Sequence, residues 1–152
     1  MYINIAFCFD HNLIRQVQVA AASLLDHTGT DQVHYHIYCI CTKEASQAGD
    51  RLRRLVKARD RESSVTVKVV ENLYQDAYEV RGISSGAYLR LMLHRLLPEL
   101  DKILYTDVDV LFRDDLTEIW QTDLTDYVLA AVKVPINGNG TVTGRIGIGW
   151  RT

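Results

Sequence analysis

Residues 1–26 read MYINIAFCFDHNLIRQVQVAAASLLD and contain the two patterns from which the rest of the chain is built. Residues 1–9 are an apolar run rich in isoleucine and aromatic residues, which predicts a short buried strand. Beyond Asp10 the apolar residues recur at helical spacing, which predicts a helix that Asn12 is placed to cap. The buried stripe of that helix consists of Ile14, Val17, Ala21 and Leu24.

The same alternation continues along the chain. Residues 33–41 (VHYHIYCIC) predict a second strand, Thr42 is placed to cap a second helix, and residues 65–70 (VTVKVV) predict a third strand. The second helix would bury Ala45, Ala48, Leu52 and Leu55. Strands that alternate with helices need crossover connections, so the pattern predicts an α/β fold with a mainly parallel sheet and helices on both faces.

The second half of the chain predicts shorter elements after a long connection at residues 71–85. They are a helix at 86–97 that ends before Pro98, a strand at 102–105, an extended segment at 108–112, a short helix at 116–120 and a strand at 127–134. Residues 1–136 therefore form one predicted α/β domain. Residues 137–152 contain five of the nine glycines, which predicts a loop or tail and not a core element.

Composition is that of one soluble domain. The chain has 152 residues, of which 47% are hydrophobic and 24% charged, and a net charge of −2, so its overall field does not favour a nucleic-acid partner. It contains no apolar run long enough to span a membrane and no basic segment before the apolar N-terminal run. Cys8, Cys39 and Cys41 lack C-x-x-C spacing, which favours reduced core cysteines. We expect a cytoplasmic protein.

The strongest chemical pattern is LYTDVDVLF at residues 104–112. Asp107 and Asp109 follow an apolar strand, and in an extended segment they would point the same way. Two parallel carboxylates repel each other unless a cation lies near them, and oxygen ligands suit Mg²⁺ or Mn²⁺. The alternative is an acidic turn, because an isolated D-x-D is common. The position at the edge of a core favours the metal site.

Two further patterns end near the same edge of the predicted sheet. Asp10 and Asn12 in FCFDHN lie where the first strand meets the first helix, although Asn12 taken alone is better explained as a cap, and no G-x-G-x-x-G is present. Arg90 lies in a predicted helix that is apolar almost all round, so its guanidinium needs an anion. We predict that it faces Asp107 or Asp109, a ligand phosphate, or both.

Other residues of the same segments have plainer explanations. His94 is interpreted as a satisfied structural histidine, and Leu89, Leu93 and Leu97 as core residues. A basic stretch is interleaved with acidic residues, which favours a solvated helix face over a contact with anionic lipid or an acidic saccharide. Its members are Arg51, Arg53, Arg54, Lys57, Arg59 and Arg61.

Taken together, FCFDHN and the long block SSGAYLRLMLHRLLPELDKILYTDVDVLFRDDLTEIWQTDL resemble family 8 of the retaining glycosyltransferases, from Ile3 to about Val132. That family includes bacterial lipopolysaccharide galactosyl- and glucosyltransferases and glycogenin. The resemblance implies a GT-A fold, which is a Rossmann-like α/β sandwich, a UDP-sugar donor and Mn²⁺. It also implies a saccharide or lipooligosaccharide acceptor, an enzyme peripheral to the inner membrane, and a role in lipopolysaccharide biosynthesis.

The resemblance also implies roles for individual residues. Asp107 and Asp109 match the family's metal-binding D-x-D motif, and Val108 between them would lie against the donor ribose. Arg90 matches an arginine that reaches the donor sugar and phosphates. Residues that would contact the uridine are Asp10 and Asn12, with Cys8 contributing a backbone contact to the base. We name no nucleophile.

The sequence departs from the family pattern at three places. Leu13 stands where relatives often have a tyrosine that stacks on uracil, and Val134 where they usually have an aspartate near the donor sugar. The family's F-N-[AS]-G strand and C-terminal metal-binding histidine would lie beyond Thr152. We therefore expect the 152-residue chain to be a truncated domain that binds nucleotide weakly, transfers no sugar by itself and self-associates through an apolar patch.

The sequence leaves two other functions open. One is a non-catalytic nucleotide-binding or assembly module. The other is a phosphatase of the haloacid dehalogenase type, in which the first aspartate of a D-x-D attacks phosphorus. That motif normally follows the first strand and has Thr or Val where this chain has Leu111, so we favour transfer of a hexose from a UDP-hexose with retention.

Overall fold

The computed structural model describes residues 1–71, 85–131 and 148–151. The strands are β1 (Tyr2–Phe9), β2 (His34–Cys41), β3 (Ser64–Val69), β4 (Lys102–Thr106), β5 (Leu129–Ala131) and β6 (Ile148–Arg151). The α-helices are α1 (Ile14–Asp26), α2 (Ala48–Arg59), α3 (Leu93–Leu96) and α4 (Thr117–Gln121), and 3₁₀ turns span His11–Leu13, Lys43–Ala45 and Ser85–Met92. The early strands and helices thus confirm the predicted alternation.

The strands form one six-stranded sheet in the order β3-β2-β1-β4-β6-β5. β1 is parallel to both β2 and β4, and β2 is parallel to β3. β6 is antiparallel to β4 and to β5. The prediction of a mainly parallel α/β sheet is therefore confirmed, with an antiparallel edge added to it.

That antiparallel edge corrects the prediction for the Gly-rich tail. Residues 148–151 are not a loop: Trp150 lies opposite Ile103, and Gly149 lies opposite Leu104. Pairing with β6 satisfies the hydrogen-bonding groups of the backbone on this side of β4. The glycine content of the tail does not indicate that such pairing occurs. The rest of the tail at 137–147 and 152, most of the connection at 71–85, and residues 132–134 of the strand predicted at 127–134 lie outside the described residues.

Both faces of the sheet are covered, which explains why β1 is a continuous apolar run. Alternate residues of β1 face α1 and α2, and the fully buried members of this side include Ile3, Ile5, Phe7, Val17, Leu24 and Leu52. The opposite side packs against residues 89–97, and its buried members include Ala6, Cys8, Ile40, Leu89, Leu93, Leu97 and Tyr105. Helices on both faces are confirmed, as are core positions for the three leucines. All three cysteines are free and buried, as predicted.

Helix starts differ from the predictions because side chains and turns upstream take over the capping role. Asp10, with extended backbone, accepts a hydrogen bond from the Asn12 N–H at 2.8 Å, so Asn12 lies inside a 3₁₀ turn and is not the cap. Thr42 precedes another 3₁₀ turn and makes no capping bond, and α2 begins only at Ala48. β1 and β2 therefore each lead into the next helix through a tight turn.

The helix predicted at 86–97 was wrong in type. The segment is a 3₁₀ helix at Ser85–Met92 followed by a single α-turn at Leu93–Leu96. Leu91 is 60% exposed and His94 is also exposed, so this segment is buried on one face and not all round. The sequence of alternating large apolar and basic residues suits a surface-packed element of which Leu89, Leu93 and Leu97 enter the core.

The basic stretch lies on the exposed face of α2 and the turn after it. Arg53 pairs with Asp50 at 2.8 Å, and Arg59 pairs with Asp26 of α1 at 2.8 Å. These exposed pairs agree with a solvated helix face. Within the described part of the chain, no helix has the length and apolar character needed to cross a membrane.

Candidate functional site

The site lies where the strand order changes direction. From β1 the chain moves outward to β2 and β3, and it returns to place β4 on the other side of β1. In open α/β sheets the ligand crevice lies beyond the carboxyl ends of the strands at such a point. Because Phe7 is paired with Thr106, the residues that follow, Cys8 and Asp107, lie at the same level. The predicted convergence of the ends of β1 and β4 is thus a feature of the fold.

β4 ends at Thr106, and the chain bends at Val108 and Asp109. The prediction that the extended conformation continues through both aspartates is therefore wrong. Val108 turns into the core beneath α1 and is 3% exposed. Asp107 is partly buried, with 16% of its side chain exposed, whereas Asp109 is exposed. Burial of the valine between them leaves the two carboxylates just beyond the carboxyl end of β4.

Asp107 lies in a compact polar cluster with Arg90 and Tyr105. Arg90 Nη2 is 3.1 Å from Asp107 Oδ1, which confirms the prediction that this arginine faces one of the two aspartates. The Tyr105 hydroxyl donates to the same oxygen at 2.5 Å. The Arg90 Cζ atom lies 5.0 Å from the centroid of the Tyr105 ring, within cation–π range.

The chemistry of this cluster is that of a fixed carboxylate and a fixed guanidinium. Burial, and after it the hydrogen bond to Asp107 and the negative charge of that carboxylate, raise the pKa of Tyr105 above its usual value, so the hydroxyl is a donor at neutral pH. Burial also raises the pKa of the Cys8 thiol to about 12, with Arg90 opposing the shift. Cys8 is therefore a protonated core residue and not a nucleophile.

At the end of β1, Asp10 is 9% exposed and Asn12 is exposed. The Asp10 carboxylate is engaged with the backbone of its own turn, so it shapes the start of α1 at the rim of the crevice. Leu13 packs partly against the core beneath α1. Val134 lies outside the described residues.

Sequence reasoning missed two side chains that shape the site. Tyr105 stands two residues before Asp107, a spacing that places both on one side of β4, and this was the available signal. The hydroxyl of Ser23 in α1 accepts a hydrogen bond from the Phe112 N–H at 3.1 Å, across 89 residues of sequence. No pattern around Ser23 indicates that contact, because it exists only after α1 has packed on the sheet.

Asp107 and Asp109 form a donor set that fits a hard divalent ion. Both contribute carboxylate oxygens at an open rim, and Mg²⁺ is commonly held by one or two carboxylates together with substrate phosphates. Among the described residues, no group of three or more His, Cys, Asp or Glu side chains is arranged to hold a metal. A metal held by Asp107 and Asp109 would need further ligands beside these two carboxylates.

A family model decides what kind of protein this is. The model of glycosyl transferase family 8 matches residues 4–145, which is almost the whole chain and includes most of β1, all of β4 and both aspartates. The chain belongs to family 8. This confirms the resemblance on which the sequence analysis relied, and family 8 membership favours glycosyl transfer over the phosphatase alternative.

Relatives of this family 8 chain agree with that assignment. General stress protein A of Bacillus subtilis is 28% identical over 137 residues, which cover 86% of this chain and 46% of that protein. The galactosyltransferase LgtC, solved in complex with donor and acceptor sugar analogs, is 26% identical with a TM-score of 0.71, covering 98% of this chain and 58% of LgtC.

The glycosyltransferase GlyE of Streptococcus pneumoniae is 19% identical with a TM-score of 0.73, covering 99% of this chain and 34% of GlyE. At that identity the likeness shows the fold alone. These structural neighbours confirm the Rossmann-like GT-A fold expected for family 8. The chain spans about half the length of the curated stress protein and between a third and three fifths of the two solved structures.

Proposed function

We propose that this chain forms the donor-binding part of an enzyme that transfers a hexose from a UDP-hexose to a saccharide hydroxyl with retention. The observation that supports this most directly is the pair Asp107 and Asp109 at the point where the strand order changes direction, in a chain of family 8. The donor and acceptor sugar analogs in the LgtC structure support the same substrate classes.

In this proposal Asp107 and Asp109 would hold Mn²⁺ or Mg²⁺, and such an ion would supply Lewis-acid stabilisation of the negative charge on the diphosphate. Arg90 lies beside Asp107 and presents a fixed positive charge toward the donor phosphates, where preorganised charge stabilises the transition state. Val108 would lie against the ribose, and Cys8, Asp10 and Asn12 would line the base and ribose side of the crevice. The acceptor would be a saccharide or lipooligosaccharide.

The proposal is tested by calorimetric titration of UDP-galactose and UDP-glucose into the protein, with and without Mn²⁺. We expect binding to need the ion, and Asp109→Asn to weaken it by at least about tenfold, since even loss of a group that only orients a metal ligand costs about 10–100-fold in affinity. Asp101→Asn is the matched control, because Asp101 is exposed at the opposite end of β4. Equal affinity of Asp109→Asn and wild type would refute the metal assignment.

Release of UDP from UDP-hexose distinguishes an enzyme from a non-catalytic nucleotide-binding module. Mn²⁺-dependent turnover that disappears in Asp107→Asn supports the enzyme. Tight UDP binding without turnover in the full protein supports the module.

A further inference from the structure

Tyr105 contacts both charged groups of the cluster through different parts of its side chain. Its hydroxyl donates to Asp107 Oδ1 at 2.5 Å, and its ring lies 5.0 Å below the Arg90 guanidinium. The ring is 3% exposed and packs with Leu89, Leu93 and Ile103 in the core that covers this face of the sheet. A tyrosine held so tightly has little freedom to reorient, so its two contacts are fixed relative to each other.

The two contacts join separate elements. Asp107 follows β4, whereas Arg90 belongs to the Ser85–Met92 segment that packs across the sheet. Arg90 reaches Asp107 directly at 3.1 Å, but a 32%-exposed arginine side chain has several rotamers available in water. A planar aromatic face beneath the guanidinium removes much of that freedom. The Tyr105 hydroxyl likewise restricts the orientation of the Asp107 carboxylate, because it donates a hydrogen bond to Asp107 Oδ1.

We propose that Tyr105 is a positioning residue of the donor site, whose hydroxyl orients Asp107 toward the metal and whose ring orients Arg90 toward the donor phosphates. The inference rests on the proposed function, since it assumes that the donor carries a diphosphate bound through a divalent ion. Removal of the hydroxyl alone should affect the Asp107 side of the site, and removal of the ring should affect Arg90 as well.

Two variants separate these roles. Tyr105→Phe keeps the aromatic face and loses the hydroxyl, and we expect the Mn²⁺-dependent affinity for UDP to fall by about tenfold or more, as for other groups that orient a metal ligand. Tyr105→Leu also removes the face, and we expect a further loss. In an Arg90→Met background, Tyr105→Leu should lower the UDP affinity no more than Tyr105→Phe does. The reason is that the ring acts through Arg90, so the effects of the two replacements are not additive.

Tyr38→Phe is the matched control. Tyr38 is buried on the same face of the sheet, 9% exposed, and its replacement also removes a single phenolic hydroxyl. Thermal unfolding of all variants reports any general loss of packing. Tyr38→Phe should bind UDP like wild type. Unchanged affinity in Tyr105→Phe, or an equal loss in both phenylalanine variants, would overturn the inference.

A readout that needs no ligand separates this inference from the proposed function. In the NMR spectrum of the ligand-free protein, the Arg90 Nε–H signal should carry the ring-current shift of Tyr105, which Tyr105→Phe should preserve and Tyr105→Leu should abolish. Wild-type protein that shows this pattern but binds no UDP with Mn²⁺ would contradict the proposed function and leave the positioning of Arg90 standing. An Arg90 signal that is the same in wild type and Tyr105→Leu would overturn the positioning itself.

Discussion

Among single residues outside the site, Asp60 joins several neighbours through its carboxylate. Its carboxylate accepts from the Ser63 hydroxyl, from His34 Nδ1 at 2.9 Å and from the Glu62 N–H at 2.9 Å. Burial acts to raise the pKa of Asp60, but these hydrogen bonds outweigh it and bring the pKa below its usual value. The Ser63 hydroxyl also accepts the Tyr35 N–H at 2.7 Å, so the carboxylate supports the start of β2.

A lowered pKa in the folded state makes stability depend on pH in a defined direction. The contribution of Asp60 is fully present above the unfolded-state pKa of about 4 and is lost as the pH falls through the lower folded-state value. We expect the free energy of unfolding, measured by urea denaturation, to fall as the pH is lowered from about 5 to 3. Asp60→Asn should be less stable at pH 7 and show a smaller decline over this range.

Asp31→Asn is the control for that experiment, because Asp31 is exposed in a loop and should follow the wild-type profile. An Asp60→Asn profile parallel to wild type between pH 5 and 3, a window set by the usual Asp pKa of about 4, would show that the hydrogen bonds do not favour the charged form.

Between elements, α1 supports the segment that follows the two aspartates. Ser23 in α1 donates to the Ala20 carbonyl at 2.9 Å and accepts from the Phe112 N–H at 3.1 Å. Val108 and Phe112 pack against the same core as α1. The bend that carries Asp109 is therefore held at its start by Val108 and at its end by Phe112.

Ser23→Ala should loosen the end of that bend. We expect a loss of about 0.5–1.5 kcal/mol in the free energy of unfolding, the usual contribution of one hydrogen bond. We also expect faster hydrogen exchange at the Phe112 amide, because its acceptor is gone. Ser46→Ala is the control, since the Ser46 hydroxyl contacts only the carbonyl of Lys43 in its own exposed turn among the contacts described. Unchanged exchange at Phe112 would show that Ser23 does not hold the segment.

For the whole molecule, the sheet distributes stability unevenly. β1 lies between β2 and β4 and is buried on both faces, whereas β5 has three residues and lies at the edge. Segments with paired backbone groups on both sides and full burial open only when the whole domain unfolds. Edge strands and short turns open locally at lower free energy.

Native-state hydrogen exchange at increasing urea concentration tests this gradient. We expect amides of β1 and β2 to exchange with the free energy and urea dependence of global unfolding, and amides of β5 and of Ser85–Met92 to exchange earlier. Because Arg90 belongs to the Ser85–Met92 segment, the site would combine a rigid strand end with a more mobile partner. If the amides of Ser85–Met92 exchanged only through unfolding of the whole domain, the expected lower stability of this segment would be wrong.

The sequence by itself determined the alternation of strands and helices, the two-sided burial of β1, and the location of the paired aspartates after β4. These follow from the spacing of apolar residues, which is a local consequence of burial. It also determined that Arg90 would need an anion, since a guanidinium beside buried leucines has few other solutions. Family membership agrees with the resemblance drawn from the FCFDHN and LYTDVDVLF blocks.

Only the tertiary structure decided which groups meet. It selected Asp107 as the partner of Arg90, placed the Tyr105 hydroxyl on the same carboxylate oxygen, and turned Asp109 away from a continuous extended segment. It also paired a Gly-rich stretch with β4 as β6. The physical reason is that hydrogen bonds and strand pairing depend on groups far apart in sequence, whereas periodicity records only whether each residue faces the core or water.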